Sequence, residues 1–66
     1  MTIVVNGEPR ELSQGTTVAD VVVLLGRGPK GLAVAVNENV VPRTRWPVTT
    51  LHERDRVEML TAAAGG

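Results

Sequence analysis

A chain of 66 residues with no cysteine has no covalent framework to close, and its single histidine leaves it without a thiol-and-imidazole zinc site. Packing alone must hold it. At this length only about 60% of the surface that the unfolded chain exposes can be buried, enough for one core and not for two, so residues 1–66 are expected to form a single domain. The apolar residues available for that core are chiefly twelve valines and six leucines, with one isoleucine, two methionines and one tryptophan. Valine at this density favours strands, because its branched Cβ fits a pleated surface.

The strand signals fall where turn residues can separate them. "TIVVN" (residues 2–6) is a short β-branched run, with Ile3 and Val5 on one face and Val4 on the other, and Gly7 and Pro9 mark a turn after it. Pro9 through Ser13 reads as the second strand of a hairpin, Leu12 being its clearest inward residue. In "TTVADVVVLLG" the apolar period changes: Val18, Val21, Val22 and Leu25 stand at i, i+3, i+4 and i+7, one stripe of a helix. Thr17 and Asp20 are placed for a capping box, and Gly26 and Gly28 supply a stop. Consecutive valines are poor helix formers, so burial must hold this segment helical.

"GRGPKG" (26–31) is a loop by composition, and its spacing is not that of a phosphate-binding Gly-Lys-Ser/Thr turn. "LAVAVN" then alternates Val34 and Val36 with Ala33 and Ala35, the pattern of a strand covered on both sides. A tight turn at Asn37–Asn39 leads to a short strand at Val40 and Val41, ended by Pro42 as at a sheet edge. Trp46 is expected to cap one end of the core and Leu51 to tuck into it. The last strand is predicted from Arg56 to Ala62, with Val57 and Met59 alternating against Glu58 and Leu60. The order strand, strand, helix, strand, short strand, strand suits an α+β fold: a mixed sheet of four to five strands with one main helix on one face and the last strand beside the first.

Little in this chain can do chemistry through a side chain. His52 lies in the polar turn "LHERD", without a cysteine or a second histidine to complete a nucleophile and base. Asp20 and the other carboxylates read as caps or solvated faces. Seven basic and seven acidic residues cancel, which leaves no electrostatic footprint of a nucleic-acid binder. No apolar run approaches the roughly 20 residues that span a bilayer, and no leader pattern opens the chain, so the cytoplasm is the expected location and a membrane is not an expected partner.

What remains is the closing "TAAAGG". Residues 62–66 carry nothing larger than a methyl group and reach at most about 17 Å at roughly 3.3–3.6 Å per residue, so they read as a flexible tail able to enter a narrow cleft. Gly65 and Gly66 tolerate backbone angles that other residues do not. The reactive group of such a tail is its terminal carboxylate. A carboxylate is inert toward nucleophiles until it is activated, most simply by adenylation.

"IVVNGEP", "TTVADVVVLL", "VAVNENVVPRTRW", "LHERDRVEML" and the final "GG" together resemble the thiamine-biosynthesis sulfur carrier proteins of bacteria, over the whole chain. The resemblance implies a ubiquitin-like β-grasp that is a carrier and not itself an enzyme. It implies partners: an activating enzyme that uses ATP to adenylate Gly66, a sulfur donor that converts it to a thiocarboxylate, and a thiazole synthase that receives the sulfur. No cofactor is expected on the carrier itself. Gly65 and Ala64 would give slender access, and without cysteine the sulfur would sit on the carboxyl carbon of Gly66. Val4 and Leu60, on the sheet face away from the helix, are the expected docking residues. Three alternatives stay open: another diglycine carrier (the small subunit of molybdopterin synthase, or a carrier for transfer-RNA thiolation), a ubiquitin-like protein modifier, and a binding module with a passive tail.

Overall fold

The alternation in "TIVV" sorts its side chains as a period of two requires. In the computed structural model, which describes residues 1–25 and 31–61, strand β1 (Thr2–Val5) buries Ile3 and Val5 and leaves Val4 half-buried on the other face. The chain reverses through Asn6 and Gly7, both at positive φ (49° and 84°), as a two-residue turn that matches the strand twist demands. This turn sets the register. Strand β2 (Glu8–Glu11) therefore begins directly after it, pairing antiparallel with Val5 opposite Glu8 and Thr2 opposite Glu11. The predicted Pro9–Ser13 strand is thus shifted toward the turn. Leu12 lies just past β2, where its N–H donates to the Met1 carbonyl (2.8 Å) and its side chain packs half-buried against the core.

Helix α1 (Val18–Leu24) begins at the expected capping box: the Asp20 N–H donates to Thr17 Oγ1 (3.2 Å) and the Thr17 N–H to Asp20 Oδ2 (3.0 Å). Asp can close the box as Glu does because its carboxylate still reaches the cap amide. Val18, Val21 and Val22 are buried and Leu25, the C-cap, is half-buried. Seven residues rich in valine would not hold a helix in water. Tertiary bonds tie its start down: the Val18 N–H donates to the Thr49 carbonyl (3.0 Å) and the Leu51 N–H to that of Thr16 (2.9 Å). The stop at Gly26 and Gly28 and the loop through Lys30 lie outside the described residues.

Strand β3 (Leu32–Val36) turns through Asn37 and Glu38, again at positive φ (50° and 73°), into strand β4 (Asn39–Val41). Strand β5 (Arg56–Thr61) runs antiparallel to β3 on one side and parallel to β1 on the other, so the sheet order is β2-β1-β5-β3-β4. The predicted Ala62 end of β5 lies outside the described residues. Among the described residues this is the mixed five-stranded sheet and single α-helix of a β-grasp, with the last strand beside the first as the pattern predicts. Both outer strands are blunted by proline, Pro9 within β2 and Pro42 directly after β4, which discourages edge-to-edge pairing.

Two features depart from the sequence pattern. Ala33 is exposed and Ala35 half-buried, so β3 is covered on its Leu32 and Val34 face alone, not on both. Arg43–Val48 forms a 3-10 helix that no local signal announces. It packs against α1 and buries Trp46, whose Nε1 donates to the Val41 carbonyl (2.9 Å) while the Arg43 guanidinium lies 5.9 Å from its ring centre. Leu51 is buried as expected. The core is wholly apolar, with no buried polar or charged side chain among the described residues.

Truncating this core should be costly in proportion to burial. Leu51→Ala, at 1% exposure, is expected to destabilise the fold by about 2–5 kcal/mol in a urea titration. Val23→Thr, at 78% exposure on α1, is expected to stay within about 0.5 kcal/mol of the parent.

Candidate functional site

The helix covers one face of the sheet and leaves the other open, and the strand registers state what lies on it. Because Ile3, Val5, Val57, Met59, Leu32 and Val34 face the core, alternation puts Val4 on β1, Arg56, Glu58 and Leu60 on β5, and Ala33 and Ala35 on β3 on the open face. Leu60 is directly opposite Ala33, and Ala35 stands between Glu58 on one side and Val40 on the other. Leu60 is 70% and Val40 75% exposed. With two alanines between these side chains, the β5-β3-β4 part of the face is a shallow apolar floor.

Val4 and Leu60 do share this face, but the structure does not bring them together. Val4 is paired with Arg56, and Leu60 lies four residues farther along β5, about 13 Å away at roughly 3.3 Å per residue. Arg56 and Glu58 stand in the interval, and Arg56 reaches Glu38 at 3.8 Å. The apolar neighbours of Leu60 are instead Ala33, Ala35 and Val40. The signal for them is present in "LAVAV": alanine at the outward positions of a strand, where polar residues would be ordinary, leaves apolar surface in solvent.

The other candidate positions bear little chemistry. His52 is exposed, its Nδ1 lies 3.8 Å from Asp55 Oδ2, and its backbone N–H donates to the same oxygen (2.8 Å), which makes it part of a turn. Asp20 is occupied by the capping box. A cleft of about 330 Å³ lies between the β1–β2 turn and the end of α1, lined by Val5, Asn6, Glu8, Arg10 and Leu25. Its charged groups, Glu8 and Arg10, pair with each other at 3.8 Å in solvent. Among the described residues no group of three His, Asp or Glu side chains is placed to hold a metal ion. Gly66, Gly65 and Ala64 lie outside the described residues, and β5, which leads to them in sequence, is described as far as Thr61.

The model of the ThiS family matches residues 3–66. The chain is 29% identical over its full length to the sulfur carrier protein ThiS of Escherichia coli, spanning all of that protein. It is 36% identical, again over all 66 of its residues, to a thiazole synthase of Magnetococcus marinus, of which it spans only 20%. Among solved structures, the thiamine biosynthesis protein ThiS from Geobacter metallireducens superposes with a TM-score of 0.85 at 28% identity, covering 100% of both chains.

A floor of exposed side chains can be changed without disturbing what lies beneath it. Leu60→Asp and His52→Ala are each expected to keep the parent's circular dichroism and to stay within about 0.5 kcal/mol of its stability in urea.

Proposed function

The chain belongs to the ThiS family, and from that membership we propose that it is a sulfur carrier of thiamine biosynthesis whose cargo is held on Gly66. One observation supports the reading beyond family membership: the strand that leads in sequence to Gly66 is the central strand of the sheet, flanked by β1 and β3.

The chemistry follows from the carboxylate. An activating enzyme binds ATP, and the Gly66 carboxylate attacks its α-phosphate, releasing pyrophosphate and leaving an acyl-adenylate. A sulfide-level nucleophile from a sulfur donor then displaces AMP and leaves a thiocarboxylate, which a thiazole synthase accepts as its sulfur source. The carrier contributes no cofactor and is a co-substrate. Gly65 and Ala64 keep the approach to Gly66 slender, so a partner's channel can close on backbone alone. The cytoplasm is the location proposed for the reaction; no helix among the described residues is long and apolar enough to cross a membrane. Leu60, with Ala33, Ala35 and Val40, forms the docking floor for the activating enzyme, and Val4 marks the far end of the same face.

Incubation with the activating enzyme, ATP and a sulfur donor, followed by intact mass, tests this reading and also reports whether Gly66 is the terminal residue. Exchange of one oxygen for one sulfur at the terminus is expected. Covalent attachment to lysines of other proteins would show a modifier instead, and an unchanged mass a passive module. Deleting Gly66 should abolish thiazole formation, and Leu60→Asp should weaken binding to the activating enzyme at least tenfold, the scale of one lost apolar anchor of about 1.4 kcal/mol or more.

A further inference from the structure

Strand β1 is too short for the strand that it supports. It pairs with β5 only at Val4 and Val5, opposite Arg56 and Val57, before the chain turns away at Asn6, yet β5 continues to Thr61. The Asn6 N–H still donates to the Val57 carbonyl (2.9 Å). From there its side chain takes the place of the missing strand: Oδ1 accepts from the Met59 N–H (2.8 Å) and Nδ2 donates to the Met59 carbonyl (3.2 Å). A planar amide with one acceptor and one donor reproduces one rung of a ladder. Both backbone groups of Met59 are thereby satisfied by Asn6, with Val34 of β3 its register partner on the other side, whereas Leu60 and Thr61 have a register partner on β3 alone.

Asn37 performs the matching task at the other end of the strand. Its N–H donates to the Arg56 carbonyl (2.8 Å), its Oδ1 accepts from the Arg56 N–H (2.9 Å), and its Nδ2 reaches Asp55 Oδ1 (3.0 Å). Both asparagines also occupy the positive-φ position that opens a hairpin turn. Asparagine joins that backbone tolerance to a short planar amide that carries both a donor and an acceptor.

We propose that Asn6 is a positioning residue for the reaction at Gly66: its clamp on Met59 fixes the end of β5, and with it the root from which the tail is fed to the activating enzyme. This rests on the reading of Gly66 as the reacting end. The clamp lies one residue before Leu60 and seven before Gly66 in sequence, so it governs both the docking floor and the start of the arm. With the root loosened, the partner has to order the end of β5 as it binds, which weakens productive binding. Once the carboxylate is seated, the chemistry is the same. The defect therefore belongs in KM and not in kcat.

The test compares Asn6→Gly with Asn37→Gly, two variants that keep the positive-φ turn and each remove one side-chain clamp on β5. Two quantities are read: amide hydrogen exchange at Met59, which donates to Asn6, and at Leu60, the next residue along β5, and KM for the carrier in ATP–pyrophosphate exchange with the activating enzyme from the same organism. Asn6→Gly is expected to accelerate exchange at both amides and to raise KM about fivefold to tenfold, the scale of one to two lost hydrogen bonds, with kcat within about twofold. Asn37→Gly is expected to leave KM unchanged. Equal KM for both variants, or an Asn6→Gly carrier with parental exchange at Met59 and Leu60, overturns the proposal. If Asn6→Gly does not fold, Asn6→Asp, which keeps the turn and the acceptor but loses the donor to Met59, is judged by the same criteria. A parent chain that supports no pyrophosphate exchange removes the Gly66 reading and this proposal with it; an active parent with indistinguishable variants removes only the role of Asn6.

Discussion

The last strand in sequence is the middle strand in space, and the rest of the fold depends on that placement. β5 supplies Val57 and Met59 to the core and pairs with β1 on one side and β3 on the other. Without it the β1–β2 and β3–β4 hairpins share no edge. Its partners are far away in sequence, Val4 pairing with Arg56, so most of the chain has to be closed into a loop before the sheet is whole. In a chain with no disulfide, that closure is stabilised chiefly by the apolar core and by backbone pairing. Side-chain amides extend the pairing at both ends of β5, which is where the neighbouring strands stop.

The features legible in the sequence are those that depend on neighbours within one element. Alternation in "TIVV" and "RVEML" and the 3.6-residue stripe of Val18, Val21 and Val22 need no knowledge of the rest of the chain. The capping box is equally local, since Thr17 and Asp20 are three residues apart. The same local signals misjudge the ends and the surroundings. The apolar Leu12 draws the predicted β2 too far along the chain, whereas the Asn6–Gly7 turn sets its actual register. "RTRWPV" has no period of its own to announce a 3-10 helix; that helix is held by Trp46, buried beside α1 and bonded to Val41.

The candidate site is legible in part and for a similar reason. Alternation alone puts Val4 and Leu60 on one face, but their separation depends on how far β1 extends along β5, which is a register between segments at opposite ends of the chain. Ala33 and Ala35 suggest a second buried face, since small apolar residues suit close packing as well as they suit a flat exposed floor. Only the position of the helix decides between the two. The asparagines give a turn signal and nothing more: an amide that substitutes for a strand cannot be recognised until the strand it serves is known.

On the proposed reading, one strand then carries both halves of the carrier's task. Leu60 of the docking floor and the root of the tail lie on β5, with the floor extending from it across β3 to Val40. The side chains of Leu60 and its neighbours can be exposed at no cost to the core because the core is complete on the opposite face. On that reading, five residues can span at most about 18 Å, and an enzyme acting at Gly66 would have to lie near the end of the sheet that Thr61 occupies. On the same reading, recognition and reactivity are coupled through backbone geometry, and the stiffness of the last paired residues of β5 would set how much of the binding energy remains for guiding the carboxylate into place.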